Sequence, residues 1–196
     1  MKEFGSAVIL AGGKSSRMGF DKSMMIIDQG KLIDNTISKL EEIFDDIIIS
    51  VNSIDKKLIF NYDNLVVDKV VDAGPLGGIL SALEQSKSQN LFIIPCDMPN
   101  IDMDYIKYLM AQMDNNEAIL SGHNDKLEPF PGFYSKSIIP NIETMLSENK
   151  RSMTSLISLV KSKIVIEDKW KGLNFKEEMF INLNTIEDIK KYMNFK

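Results

Sequence analysis

Short apolar runs alternate along the chain with segments of helical periodicity. Ala7-Val8-Ile9-Leu10 carries no polar alternation and stops at Gly12-Gly13. Such a run predicts a strand buried on both faces, as a central parallel strand is. Ile33, Ile37, Leu40 and Phe44 then recur at three- or four-residue spacing, with Lys39, Glu41 and Glu42 between them, and predict an amphipathic helix. Ile47-Ile48-Ile49-Ser50-Val51 and the shorter Leu65-Val66-Val67 read as strands. Leu91-Phe92-Ile93-Ile94 is a second very apolar strand, and Pro95 after it has no N–H for a ladder bond, so pairing should falter there. Leu76, Ile79, Leu80 and Leu83 predict one further helix face, and Ile106, Leu109, Met110 and Met113 another.

The second half is less regular. Ala118-Ile119-Leu120, Gly132-Phe133-Tyr134, Ile164-Val165-Ile166 and Phe180-Ile181-Asn182-Leu183 are expected to be strands. Helices are expected from Ile138 to Glu148 and from Met153 to Val160. Thr185 followed by Asp188 is a capping signal for a last helix that runs to about Met193. The polar tract from Asp168 to Glu178 reads as a surface loop. Strand–helix alternation over the first 115 residues predicts βαβ units in a mostly parallel sheet, hence a three-layer α/β/α fold. With no repeat and no linker, one domain is expected over residues 1–196, with halves at 1–115 and 116–196.

Composition narrows the class. Of 196 residues, 44% are hydrophobic and 26% charged, which excludes a long disordered chain or a collagen. Lys and Arg (23) against Asp and Glu (28) give a net charge of −5, which argues against a nucleic-acid partner. The single cysteine, Cys96, has no partner for an internal disulfide and suits a reducing compartment. The single His123, set in a polar turn, cannot build a His-rich metal site. No apolar run approaches the roughly 20 residues of a membrane span, and Ala7 to Ala11 is too short for a signal sequence, so a cytoplasmic protein is expected.

The chemistry concentrates at four places. Leu10-Ala11-Gly12-Gly13-Lys14-Ser15-Ser16-Arg17-Met18-Gly19, continued by Phe20-Asp21-Lys22, follows directly on the first strand. Its glycines let the backbone bend close to a ligand, and Lys14, Arg17 and Lys22 supply cations, so it reads as a phosphate-binding loop. It is neither a P-loop nor a dinucleotide fingerprint: the first P-loop glycine would fall on Val8, and Gly12 and Gly13 are adjacent. Asp97, in Pro95-Cys96-Asp97-Met98-Pro99, follows the second apolar strand, where an open α/β sheet binds ligands, and is placed to hold Mg²⁺. Cys96 beside it reads as a small packed residue. Gly74-Pro75-Leu76-Gly77-Gly78-Ile79, after Asp68 and Asp72, opens a helix; Gly74 is either a ligand-side turn or simple loop chemistry. Asn182 and Asn184, in Asn182-Leu183-Asn184-Thr185, would share one side of a strand end as metal or phosphate contacts, or serve as a helix cap.

The first motif resembles the signature loop of the Rossmann-like nucleotidyltransferases. Together with Asp21-Lys22, Gly74-Pro75-Leu76-x-Gly78-Ile79, Pro95-Cys96-Asp97-Met98-Pro99, Glu128-Pro129, Gly132-Phe133-Tyr134 and Phe180-Ile181-Asn182-Leu183-Asn184-Thr185, it resembles the molybdenum cofactor guanylyltransferases. The resemblance implies GMP transfer from GTP to Mo-molybdopterin with Mg²⁺ and release of pyrophosphate. It implies that Leu10, Ala11, Gly12 and Gly13 meet the nucleotide through the backbone, Lys22 its phosphates, Asp68 the nucleoside, and Asp97 the metal. Arg17 and Lys22 would offset charge on the α-phosphate and the leaving group. The family often has an Asn ending the second strand; register puts Ser50 there, with Asn52 two residues on along the same face, and Asn52 is carried as the contact. Cofactor-insertion or molybdoenzyme maturation proteins are expected partners. The rival expectations are a cytidylyltransferase or sugar-phosphate nucleotidyltransferase of the same superfamily, and a non-catalytic nucleotide-binding partner in cofactor maturation.

Overall fold

The computed structural model describes residues 2–12, 26–27, 30–57, 60, 62–170, 173, 175 and 177–194. The first apolar run forms β1 (Lys2–Leu10), paired in parallel on one side with β4 (Asp46–Val51) and on the other with β6 (Ser88–Pro95). Ala7, Val8 and Ile9 have no exposed surface, because neighbours fill both edges and helices cover both faces. β5 (Leu65–Val67) extends the sheet beyond β4. Beyond β6 the hairpin of β7 (Ala118–His123) and β8 (Lys126–Ser135) inserts backwards: β8 lies next to β6, and β7 lies outside it. β9 (Ser162–Val165) closes that edge. The order is β5-β4-β1-β6-β8-β7-β9, and β8 alone runs against the others. A small antiparallel pair, β2 (Ile26–Ile27) with β3 (Gly30–Lys31), stands apart from this sheet.

Alternate residues of the central strands feed two separate cores. Ile9, Ile49, Phe92 and Ile94 face α1 (Leu32–Leu40) and α4 (Met103–Ala111). Val8, Ile48, Leu91 and Ile93 face α3 (Pro75–Gln85), α5 (Ile139–Ser147) and α6 (Met153–Leu159). Helices on both faces of a mostly parallel sheet make the three layers that the sequence pattern predicts. Phe92 anchors the first core, its ring 5.5 Å from Phe44 and 5.2 Å from Phe133. The remaining helices are a single turn, α2 (Ile54–Lys57), a second short turn, α7 (Glu167–Trp170), and α8 (Ile186–Asn194). Thr185 and Asp188 cap α8 reciprocally, at 2.8 and 3.1 Å. No helix among the described residues is long and apolar enough to cross a membrane.

Three expectations are corrected. Phe180-Ile181-Asn182-Leu183 is not a strand: a 3₁₀ turn, Glu177–Phe180, leads into irregular chain. Phe180 and Leu183 are apolar because they pack inward, and Leu183 N makes a strand-like bond to the Asp97 carbonyl, 2.9 Å. His123 ends β7 rather than lying in a turn; its ring stacks on Phe180 at 4.7 Å. The turn is Asn124-Asp125, both at positive φ (49° and 58°), which matches the twist of a two-residue hairpin. Part of the tract from Asp168 to Glu178, read as a surface loop, folds inward: the Phe175 ring lies 5.1 Å from that of Tyr105.

At the amino ends of the strands, Asp46 ties the sheet together. Its carboxylate is 5% exposed and accepts from Ser6 Oγ (2.6 Å), Lys87 N (3.0 Å) and Asn64 Nδ2 (3.0 Å). Burial pushes its pKa up, but the Ser6 hydroxyl and the Lys87 amide and ammonium more than reverse this and hold it below 3.8. Stability from such a group is complete above the unfolded pKa and is lost as pH falls through the lower folded value. Asp46→Ala is expected to lower the unfolding free energy by about 3 kcal/mol at pH 7. Urea denaturation should show that difference shrinking only below about pH 4; a deficit under about 1 kcal/mol at pH 7 would contradict the assignment.

Candidate active site

The carboxyl ends of β1, β4, β5 and β6 open on one cavity of about 680 Å³. The chain leaves β1 towards β4 and β5 on one side, then returns through α3 to β6 on the other. A crevice at such a reversal is where open α/β sheets take their ligands, because diverging connections leave the strand ends uncovered. Leu10, Ala11 and Gly12 come from the end of β1, Ser50 from β4 and Asn52 from just past it, and Asp68 from just past β5. Cys96 and Asp97 follow β6, and Asp72 to Pro75 with Gly78 come from the entry to α3.

Close packing shapes this floor. Gly74, at φ 62°, turns the chain into α3, and Pro75 occupies its first turn. Gly78 lies inside the helix, where glycine is unfavourable by roughly 1 kcal/mol against alanine. A Cβ there would sit 2.5 Å from Ser50 Oγ, so only glycine lets α3 approach β4. Ser50 Oγ in turn donates to Asp68 Oδ1 at 2.7 Å, and Asp68 N donates to the Val51 carbonyl at 2.8 Å. A Cβ on Gly12 would lie 3.1 Å from Asn52 N, 3.3 Å from Asn52 Cβ and 3.4 Å from Asp68 Oδ2, so the chain leaving β1 runs flush against both residues. Lys56, from α2, donates to the Ala11 carbonyl at 3.1 Å. Burial raises the Asp68 pKa, while the Ser50 hydroxyl and the Lys56 charge oppose the rise. Asn52 Oδ1 is buried with no hydrogen-bond partner among the described residues.

Leu10, Ala11, Gly12, Asn52, Asp68, Gly74 and Asp97, separated by up to 87 positions in sequence, therefore share one cavity. Gly13, Arg17 and Lys22 lie outside the described residues, as do Lys14, Gly19 and Asp21. Asn182 and Asn184 do not line the cavity, and with no strand there they do not share a strand face. Asn182 Nδ2 donates to the Phe180 carbonyl two residues back, and Asn184 N donates to Asp188 Oδ2. Cys96 is packed as expected but also forms part of the wall. Phe130 and Arg151 line the cavity and were not singled out from sequence. Arg151 sits in the polar stretch Asn149-Lys150-Arg151-Ser152, which reads as solvated surface. Phe130 gave a weak signal, an aromatic between two prolines.

The donor set suits a hard cation held jointly with a ligand. Asp97 offers a carboxylate at the cavity edge, and no group of three acidic, His or Cys side chains that could cage a metal occurs among the described residues. One carboxylate plus phosphate oxygens is a common Mg²⁺ environment.

Residues 7–163 match the family described as MobA-like NTP transferase domain. The chain is 37% identical over 193 residues to the molybdenum cofactor guanylyltransferase of Syntrophotalea carbinolica, covering 97% of this chain and 91% of that one. It is 29% identical over 195 residues to the enzyme of the same name from Histophilus somni, covering 96% of each. The molybdopterin-guanine dinucleotide biosynthesis protein A structure from Archaeoglobus fulgidus superposes with a TM-score of 0.84 at 20% identity, over 97% of both chains.

The contact between Gly78 and Ser50 is testable. Gly78→Ala is expected to destabilise the protein by about 1–3 kcal/mol. The same change in a Ser50→Ala background should cost clearly less, because the clashing oxygen is gone. A denaturation double-mutant cycle measures the difference; additive costs would mean that α3 does not bear on Ser50.

Proposed function

The chain belongs to the MobA-like NTP transferase domain family, and from that premise we propose that it transfers GMP from GTP to Mo-molybdopterin and releases pyrophosphate. The observation that carries this reading is the meeting of Gly12, Asp68 and Asp97 on one cavity at the ends of four parallel strands. Nucleoside and phosphates need different chemistry, and these residues supply it side by side. Asp68 and Asn52, both packed against Gly12, carry acceptor oxygens for the base and sugar. The end of β1, the turn at Gly74 and Asp97 line the same cavity and would take the phosphates.

The terminal phosphate of the acceptor attacks the α-phosphorus of GTP. One P–O bond forms, the α–β bridge breaks, and pyrophosphate carries away the electron pair. The attacking phosphate is already ionised, so no general base is required and the protein's work is positioning and charge stabilisation. Asp97 would hold Mg²⁺, which supplies charge neutralisation to the bound phosphates. Arg17 and Lys22 take the phosphate roles that the motif implies. Residues 1–115 form the nucleotide half and 116–196 the acceptor half. Phe130 and Arg151 bring the second half to the cavity wall. Asn182 and Asn184 flank Leu183, which bonds the Asp97 carbonyl, and this adjacency supports a supporting role at the metal or acceptor.

Pyrophosphate release with Mg²⁺ and Mo-molybdopterin is expected with GTP and not with CTP or ATP. Release with CTP would overturn the guanine assignment, and tight GTP binding without release would favour a non-catalytic binding protein. Asp97→Ala is expected to cut turnover by at least about a hundredfold with unchanged circular dichroism, and Lys22→Ala to weaken nucleotide use. Near-normal turnover of the Asp97 variant would remove that residue from the metal.

A further inference from the structure

We propose that Ser50 and Lys56 are positioning residues that hold Asp68 as a fixed acceptor for the nucleobase, and so set the preference of this chain for guanine. The inference rests on the reading above that Asp68 meets the base.

Neither residue is placed to bind the base itself. Ser50 is 1% exposed, and its hydroxyl proton is committed to Asp68 Oδ1 at 2.7 Å. The hydroxyl has little freedom to swing away, because α3 presses on it at Gly78. Asp68 is thus held twice from β4, through its backbone N–H on Val51 and through its side chain on Ser50. With Oδ1 engaged, Oδ2 is the oxygen left beside Gly12, on the cavity side. Lys56 completes the arrangement from α2. Its ammonium donates to the Ala11 carbonyl, just past the end of β1, and its charge acts on Asp68. One side chain therefore links the strand that carries the loop to the carboxylate across from it.

The result is that two acceptor-bearing side chains stand beside Gly12: Asp68, through Oδ2, and Asn52, through its N and Cβ, whose own Oδ1 is buried with no partner among the described residues. Among the common bases only guanine presents two adjacent donors on its pairing edge, N1–H and the 2-amino group. Cytosine and adenine present one donor beside an acceptor, and uracil a single donor between two carbonyls. A buried acceptor left facing another acceptor costs the full desolvation of both, so such a pair rejects the wrong edge strongly. The discrimination requires Asp68 to stay ionised, since a protonated carboxyl becomes a donor. Burial works against ionisation, and among the described residues the Ser50 hydroxyl and the Lys56 ammonium work for it. Asp72, Asp97 and Arg151 share the cavity wall, and none of the three is among the groups that shift Asp68.

The test uses the full chain and titrates GTP and ITP, which lacks the 2-amino group, by calorimetry between pH 5 and pH 8 without acceptor. Wild type should prefer GTP, and its affinity should fall as pH drops and Asp68 takes up a proton. Ser50→Ala and Lys56→Met are each expected to weaken GTP by about tenfold, to narrow the GTP/ITP ratio, and to move the pH midpoint upward. Lys56→Arg should restore the wild-type midpoint, which a purely structural loss would not predict. Lys56 lies on a one-turn surface helix, so its variants test the proposal even if Ser50→Ala fails to fold. Wild-type ratios and midpoints in both variants would overturn the positioning role. Asp68→Asn separates the two failures: if it abolishes GTP preference while the other variants do not, only the positioning role falls. If Asp68→Asn leaves GTP preference unchanged, Asp68 does not read the base and both fall.

Discussion

The burial of β1 on both edges and both faces is the constraint from which the rest of the structure follows. A strand with no exposed surface at Ala7, Val8 and Ile9 must have every backbone group paired, and β4 and β6 supply those pairs in parallel. Parallel pairing brings the carboxyl ends of three strands to one edge and sends their connections over opposite faces. Leu10 is then the last residue with partners on both sides, opposite Ser50 and Pro95. Chain leaving that point has lost its ladder, and the cavity occupies the space where the ladder would have continued.

The two ends of the sheet treat a buried aspartate differently. Asp46, at the amino ends, has each carboxylate oxygen engaged by described donors, including Ser6, Asn64 and Lys87, and works as a fastener between β1, β4 and the start of β6. Asp68, at the carboxyl ends, has one oxygen engaged and one beside Gly12. Opposing effects set the charge of each: burial favours the neutral acid, and donors favour the carboxylate. At Asp46 the donors win and the pKa falls; at Asp68 burial wins and it rises. A closed set of partners marks a group that holds structure, and an incomplete set marks one that can meet a ligand.

Glycine makes the second arrangement possible. Gly77 and Gly78 are poor helix residues, yet a Cβ at either would meet Ala73 or Ser50 at 2.9 or 2.5 Å. The helix that covers Val8 and Ile48 also carries the turn at Gly74, so bringing α3 close serves packing and site together. Helix propensity gives way here because tertiary contact outweighs about 1 kcal/mol per glycine.

The sequence by itself determined the elements whose burial is complete or strictly periodic: β1, β4 and β6, the faces of α1, α3 and α4, and the capped start of α8. It also marked Gly12 and Asp97, because a glycine and a carboxylate directly after buried strands have few other uses, and it left Gly74 between a ligand-side turn and simple loop chemistry. Tertiary structure alone decided the position of β8, which inserts between β6 and β7 against the direction of the rest. It decided that Phe180 and Leu183 pack without a ladder, and that Ser50 serves Asp68. It also brought Phe130 and Arg151 to a cavity built mainly by the first half of the chain. The reason is physical. Hydrophobic periodicity reports how deeply a residue is buried and with what repeat, but it carries no information on which distant segment does the burying. Strand order, hydrogen-bond partners and the second half's share of the site are choices of partner, and they are made only when the chain closes on itself.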